Sequence, residues 1–446
     1  MGESSLSSPP PLLLRWQGLL AHQPVGPLGS RLVPLGGLVL CALMAGLPLL
    51  SRAGLSLLIL ASSGLWLLLS LRRPARGITA INAWILVILA VALLATGFSP
   101  VPSAAARGLV KLASYLGVYA LMQEVLSAAP LWWDRIVASL LGGSLLTSVI
   151  GLRQLYADTS ELARWADPTS VAAGTVRIYA TLGNPNLLAG YLLPILPLAV
   201  VAVLRWRQPA RRLYALAALA LGLAALVLTY SRGAWLGLVA SAAVILVLLA
   251  VRHTRRWPPR WRRLVPVLVL VGGTVLLAVL VFQVEALRVR VFSLLAGRGD
   301  SSNNFRINVW LAALDMIEAR PWLGIGPGND AFNLIYPLYQ QPRFNALSAY
   351  SIPLELAVEA GIPGLLAAIA LVIAGLRRGL EVWQGSGPFA LPALGALAVI
   401  AGLGVQGLTD TIFFRPEVQL SAWFCLATLS AASPPGPPAA GPAAGG

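Results

Sequence analysis

Apolar positions along this chain come in long blocks rather than in alternation. They fill about 32–50, 54–71, 78–96, 104–122, 136–155, 187–204, 213–229, 234–251, 264–283, 349–376, 391–409 and 418–432. Blocks of this length with no period of two predict helices, and each approaches the roughly 20 residues needed to cross a hydrocarbon core. The pattern therefore predicts an all-α, polytopic membrane protein of about twelve transmembrane helices.

The polar breaks between the blocks test that threading. LRRPARG at 71–77, RWRQPARR at 205–212, RHTRRWPPRWRR at 252–263 and LRR at 376–378 are dense in arginine. With the N-terminus inside, all of them fall on the cytoplasmic face, as the bias of positive charge in membrane proteins requires. Both termini are then cytoplasmic, in a plasma-membrane protein. The first apolar run reads as an uncleaved span, because no compact signal-peptide core with a small-residue cleavage site precedes it.

Three segments face outward: 156–186, the tight turn YSRGAW at 230–235, and the long connection 284–348. The expected organisation is a cytoplasmic tail over 1–31, a membrane domain over 32–432 with 284–348 as a large extracytoplasmic loop, and a Pro/Ala/Gly tail over 433–446 that cannot pack. Within the loop, Asn303 or Asn304 is expected to cap a short amphipathic helix running through Glu318. Its apolar face would be Ile307, Trp310, Leu311, Leu314 and Ile317, and it should stop before Pro321. GIGPGN at 324–329 then supplies a glycine-rich return.

Composition narrows the class. The chain has 446 residues, 58% of them hydrophobic and 11% charged, and a mean hydropathy of +0.79. That excludes an ordinary soluble domain. The net charge of +16 would suggest nucleic acid in a soluble protein; here it reports topology, and no nucleic-acid partner is expected. Lys111 is the single lysine. Cys41 and Cys425 lie in apolar runs and frame no disulfide, and His22 and His253 form no zinc-ligand set.

Few residues can carry chemistry. Arg232, in SRGAW, sits between two apolar runs and must either snorkel to the interface or pair with an anion, since a mid-membrane arginine costs on the order of 3 kcal/mol. Arg306 lies one turn before Trp310 on the same helical face. Arg320, before Pro321, is placed to complement a helix C-terminus. Together Arg232 and Arg306 would make an outward pocket for a diphosphate, because arginine contacts phosphate oxygens bidentately. GIGPGN follows no strand and lacks a P-loop lysine, so it reads as a turn rather than a phosphate cradle. Glu355 and Glu359, four residues apart on one helix, and Asp410 are acids at membrane depth and hence functional candidates. The plainer alternatives are a pair between Asp410 and Arg415, and a helix end at Glu359 ahead of AGIPG.

TLGNPNLLAGYLLP (181–194), TYSRGAWLG (229–237), RINVWLAALDMIEARPWLGIGPGN (306–329), ALSAYSIPLELAVEAGIPG (346–364) and LTDTIFFRPEVQ (408–419) together resemble the O-antigen ligase and polymerase superfamily. The nearest likeness within it is to the cyanobacterial branch named for bicarbonate (inorganic carbon) transport. The resemblance covers about 30–430. It implies a bundle of about twelve helices with a large extracytoplasmic loop. It also implies, for ligases, transfer of a polyprenyl-diphosphate-linked glycan without metal, nucleotide or other cofactor. Arg232 matches the arginine of the family's SRG motif and Arg306 that of its R-x-x-x-W motif, both of which handle the diphosphate in ligases. Asn186, Trp310 and Arg320 are further substrate-binding candidates on the same motifs.

One departure stands out. Where ligases carry His-Asn, this chain has Tyr350-Ser351 ahead of Glu355 and Glu359. A tyrosine pKa near 10 makes a poor base at neutral pH. If this chain is a transferase, Tyr350 at the ligase histidine position is a poor base, so the base is a carboxylate such as Glu355 or Asp330, or the reaction works without one. Three expectations follow: a glycan transferase, a bicarbonate transport or accumulation protein, and a lipid-linked glycan binder without turnover. The partners implied are membrane lipid and either the lipid-linked glycan or bicarbonate.

Overall fold

The computed structural model describes residues 27–71, 78–156, 177–283, 285–292 and 297–432. Most of the expected tail 1–31, the loop residues 72–77, the middle of 156–186 and the tail 433–446 lie outside the described residues. Among the described residues all regular structure is helical.

Each apolar block becomes a helix. In chain order these are α1 (Pro27–Gly46), α2 (Arg52–Ser70), α3 (Ala80–Gly97), α4 (Pro102–Ala128), α5 (Leu131–Arg153), α6 (Pro185–Arg205), α7 (Pro209–Leu228), α8 (Arg232–His253) and α9 (Pro259–Gln283). The polar connection 284–348 holds α10 (Glu285–Phe292), α11 (Ser301–Ala319) and α12 (Asn329–Ile335), and the chain closes with α13 (Ile352–Gln384), α14 (Ala390–Gln406) and α15 (Pro416–Ala431). Eight of them, α2 to α8 and α13, are long and apolar enough to cross a membrane, and two shorter apolar helices lie in α1 and α14.

The most enclosed helix is α6, buried along nearly its whole length and packed against α5, α7, α8, α14 and α15. Outer helices turn large apolar side chains outward, among them Leu57 and Leu60 on α2, Leu93 on α3 and Val271 on α9. In lipid such a surface carries no penalty.

Long-range contacts sort the helix ends into two sets. At one end Arg205 reaches Asp134 and the carbonyl of Pro388, Arg252 lies over the ring of Trp383, and Arg378 donates to the carbonyl of Ala432. At the other end Thr181 donates to Pro48, Ser99 to Ile325, Lys111 to Phe414 and Arg306 to Thr409. The arginine-dense connections 205–212 and 252–263 belong to the first end, and 284–348 to the second.

The helix in the connection corrects two expectations. Asp300, not Asn303 or Asn304, is its N-cap, with the carboxylate accepting from the Asn303 amide at 3.0 Å. Its buried face is Val309, Ala312, Ala313 and Met316, whereas Leu311 and Leu314 are exposed. Small alanines let α11 approach α13 and the cluster of Ala104, Phe332, Tyr336 and Val358. The bulky leucines are left on the outer surface, so side-chain size alone marked the wrong face.

GIGPG is a clip rather than a loose turn. α13 breaks at Gly361, whose φ is +68°, and Pro363 has no amide proton to offer the carbonyl of Glu359. The Ile362 amide turns instead to the carbonyl of Pro321. The carbonyls left free, those of Val358 and Glu359, accept from the amides of Ile325 and Gly326, each at 2.9 Å. A Cβ at Gly361 would run into the carbonyl of Trp322. The motif thus repairs the broken helix by backbone pairing, which is the turn reading and not a phosphate cradle.

Candidate functional site

The termini of α6, α8, α11 and α13 and the α14–α15 connection converge at one end of the bundle, and each brings a polar side chain. Arg232 is the first residue of α8, set there by a turn in which Tyr230 takes φ +52° and Ser231 is extended. Its Nη2 donates to Asp300 Oδ1 at 3.0 Å, with the arginine 7% and the aspartate 0% exposed. Asp300 therefore joins Arg232 to the first turn of the helix that carries Arg306. Its second oxygen is buried with no donor among the described residues.

Arg306 is half-buried on α11. Its Nε donates to the carbonyl of Thr409 at 3.0 Å and its Nη1 to Ser302 Oγ at 2.7 Å. The first bond places the guanidinium beside Asp410. Burial works against the charge of Arg306, and Asp410 is the neighbour that most supports it. Asp410 is itself buried, with Oδ1 accepting from the amides of Thr411 at 2.8 Å and Ile412 at 3.2 Å. Burial raises the Asp410 carboxyl above the usual range, opposed by Arg306 and then by those two amides and Arg177.

Arg177 joins the same group from the segment before α6. Its Nε donates to the carbonyl of Thr229 at 2.8 Å, and its Nη2 to Asn186 Oδ1 at 2.7 Å. Asn186 sits in the first turn of α6, which Asn184 caps through the Asn186 and Leu187 amides. Tyr350, at φ +50° just before α13, lies edge-on to Phe305 at 5.5 Å. Burial first, then Asp410, pushes its hydroxyl pKa up, and Arg306 opposes them. The hydroxyls of Ser348 and Thr411 bond to each other, so the segment bearing Asp410 is held between α11 and the approach to α13.

Of the residues singled out from sequence, Arg232, Arg306, Asn186, Tyr350 and Asp410 are drawn into this one cluster. Trp310 follows Arg306 by one turn, half-buried, with its indole nitrogen buried and without an acceptor among the described residues. Glu355 is fully buried behind the cluster, accepting from the Ala349 amide. Glu359 is buried one turn further on, beside the break at Gly361. Two candidates are elsewhere. Asp330 pairs with Arg107 at 2.7 Å where both are more than half exposed, and Arg320 is exposed, donating to the carbonyl of Phe98.

Sequence reasoning missed Arg177 and Asp300. For Asp300 a signal existed: aspartate followed by Ser-Ser-Asn is a strong N-cap pattern. Arg177 had only its position, nine residues ahead of Asn186 in a polar segment. Among the described residues no group of three or more His, Cys, Asp or Glu is gathered as metal ligands.

The cluster thus presents three arginines against two aspartates, an arrangement with spare positive charge at a helix-terminal end of the bundle. Residues 217–369 match the family model described as O-antigen ligase. No curated protein matches the chain. The matched stretch runs from α7 into α13 and includes Arg232, Asp300, Arg306, Tyr350, Glu355 and Glu359; Arg177, Asn186 and Asp410 lie outside it. It supports the superfamily and a membrane protein of O-antigen ligase type.

Proposed function

We propose that this protein binds a polyprenyl-diphosphate-linked glycan at the extracytoplasmic face and transfers the glycan to an acceptor hydroxyl. The observation that carries the reading is the convergence of Arg177, Arg232 and Arg306 from three separate elements, with Asp300 and Asp410 as the facing acids. The arginine-dense connections at the other end support an outward orientation for this one.

In this reading Arg232 and Arg306 take the diphosphate, as guanidinium groups suit phosphate oxygens. Asp300 keeps Arg232 aimed and ties its position to α11. The base is Asp410. Glu355 is enclosed behind Ala349, Asp330 is held by Arg107 at the surface, Asp300 is committed to Arg232, and burial keeps Tyr350 protonated at neutral pH. As the acceptor oxygen bonds to the anomeric carbon, its proton passes to the Asp410 carboxylate. The bond from that carbon to the diphosphate breaks, and the leaving diphosphate's charge is taken up by the arginines. A carboxylate whose pKa is raised by burial is better matched to this work than an ordinary aspartate.

The test is binding of a polyprenyl-diphosphate glycan to protein in nanodiscs. Arg306→Ala should weaken it by about tenfold to 150-fold, the value of a charge-assisted hydrogen bond. Unchanged binding in both Arg306→Ala and Arg232→Ala removes the reading. Binding without turnover in the wild type would leave a glycan binder in which Tyr350 replaces the catalytic residue. A second reading, bicarbonate transport, is favoured by the break of α13 at Gly361 beside the buried Glu355 and Glu359, since interrupted helices form ion sites in transporters. Folded protein in vesicles that passes no bicarbonate rejects it.

A further inference from the structure

The opposite end of the bundle carries a groove that plays no part in the arginine cluster. Two adjoining cavities of about 440 Å³ and 210 Å³ open there and share Asp134, Trp206 and Arg211. They lie between the first turn of α5, the α6–α7 turn and the start of α7. Asp134 is already fully engaged: Oδ1 accepts from Arg205 Nε and from the Trp206 indole, both at 2.8 Å, and Oδ2 accepts from Arg205 Nη2 at 3.1 Å. Arg205 also donates to the carbonyl of Pro388. The one acid on the groove is thus neutralised by Arg205.

Arg207 and Arg211 line the larger cavity, exposed and with no ion-pair partner among the described residues. Arg135 lines the smaller one, 4.6 Å above the ring of Trp132. The wall below is apolar. Trp206 stacks on Tyr214 with ring centroids 6.4 Å apart, and the Tyr214 hydroxyl ties this wall to the carbonyl of Ala138 on α5. Leu131 completes it.

A basic rim above an aromatic and aliphatic wall fits an amphiphile with an anionic head. Arginine contacts phosphate oxygens bidentately, and rings of this kind sit at the boundary between headgroups and acyl chains. A soluble phosphate compound would use the rim and leave the wall uncovered. We infer that this groove is a binding site for an anionic phospholipid, with its phosphate between Arg207 and Arg211 and an acyl chain along Trp206, Tyr214 and Leu131. The site stands apart from the glycan reading and survives its failure.

Native mass spectrometry of the detergent-purified full chain with phosphatidylglycerol, phosphatidylcholine or soluble glycerol phosphate tests it. The variants are R207Q/R211Q and, as a control removing equal charge from the same end, R255Q/R256Q. All four side chains are exposed, so neither pair threatens the fold. Phosphatidylglycerol should be retained over phosphatidylcholine, weaken about tenfold or more in R207Q/R211Q, and be unaffected in R255Q/R256Q. Equal retention of the two lipids overturns the inference, as does an equal loss in both variants or no loss in either. Displacement by glycerol phosphate at matched concentration would make it a soluble-phosphate site and overturn it too.

Discussion

Asp300 does two jobs with one carboxylate, capping α11 and neutralising Arg232, and substitutions can separate them. Asn caps a helix as well as Asp does. Asp300→Asn should therefore cost about 3–5 kcal/mol through loss of the buried ion pair with Arg232, and Asp300→Ala about 1 kcal/mol more for the lost cap. Thermal unfolding in detergent measures both. Replacing the pair together, as Arg232→Met with Asp300→Leu, should restore most of the stability because a buried ion pair is rarely better than apolar packing. Glycan binding should stay lost in that double variant. Recovery of binding with stability would show that the pair matters only for folding. Asp410 gives a prediction in pH. A raised pKa means the carboxylate form, and hence kcat/KM, is lost as pH falls through a value above the ordinary aspartate 3.9. Arg306 opposes that rise, so Arg306→Gln should move the acid limb to higher pH. A limb that stays where it was would remove Arg306 and Asp410 as neighbours in function.

At the level of elements, the site depends on a helix that is interrupted and then clipped. The break at Gly361 frees two carbonyls of α13, and the GIGPG segment supplies the amides for them. That pairing fixes the path from Arg320 to Asn329 and keeps α11 against α13. Gly361→Ala forces a side chain into a left-handed position and into the carbonyl of Trp322. It should destabilise the protein by about 1–3 kcal/mol and loosen α11, read as a lower Tm together with weaker ligand binding. A Tm equal to the wild type would mean the clip is not needed. The same scale explains the misread face of α11. Hydrophobic size pointed to Leu311 and Leu314, but close packing of α11 on α13 needs Ala312 and Ala313, and the leucines stay outside.

At the scale of the whole molecule, alternation of the helices brings the connections into two opposed sets, and the prediction is one of sidedness. In a background with Cys41 and Cys425 replaced, a cysteine at Arg320 should react with an impermeant maleimide in intact cells, whereas one at Arg256 should react only after lysis. The reverse result would turn the proposed site to the cytoplasm and end the glycan reading. Much of this level was legible beforehand, because the length of an apolar block and the arginines that bound it are local properties of the chain. Each apolar run became a helix, and the SRG and R-x-x-x-W arginines could be named from their motifs. The sequence could not say which acids those arginines meet. Asp300 lies 68 residues from Arg232, and the Thr409 carbonyl lies 103 residues from Arg306. Such pairings are set when separate helix ends pack at one end of the bundle. Glu355 and Asp330 both stood as candidate carboxylate bases in the sequence; packing enclosed one and gave the other to Arg107. What the chain determines by itself is which segments prefer lipid and which prefer water, since that is summed residue by residue. Which charges stand together is decided only by tertiary packing, because burial and distance are properties of the assembled bundle.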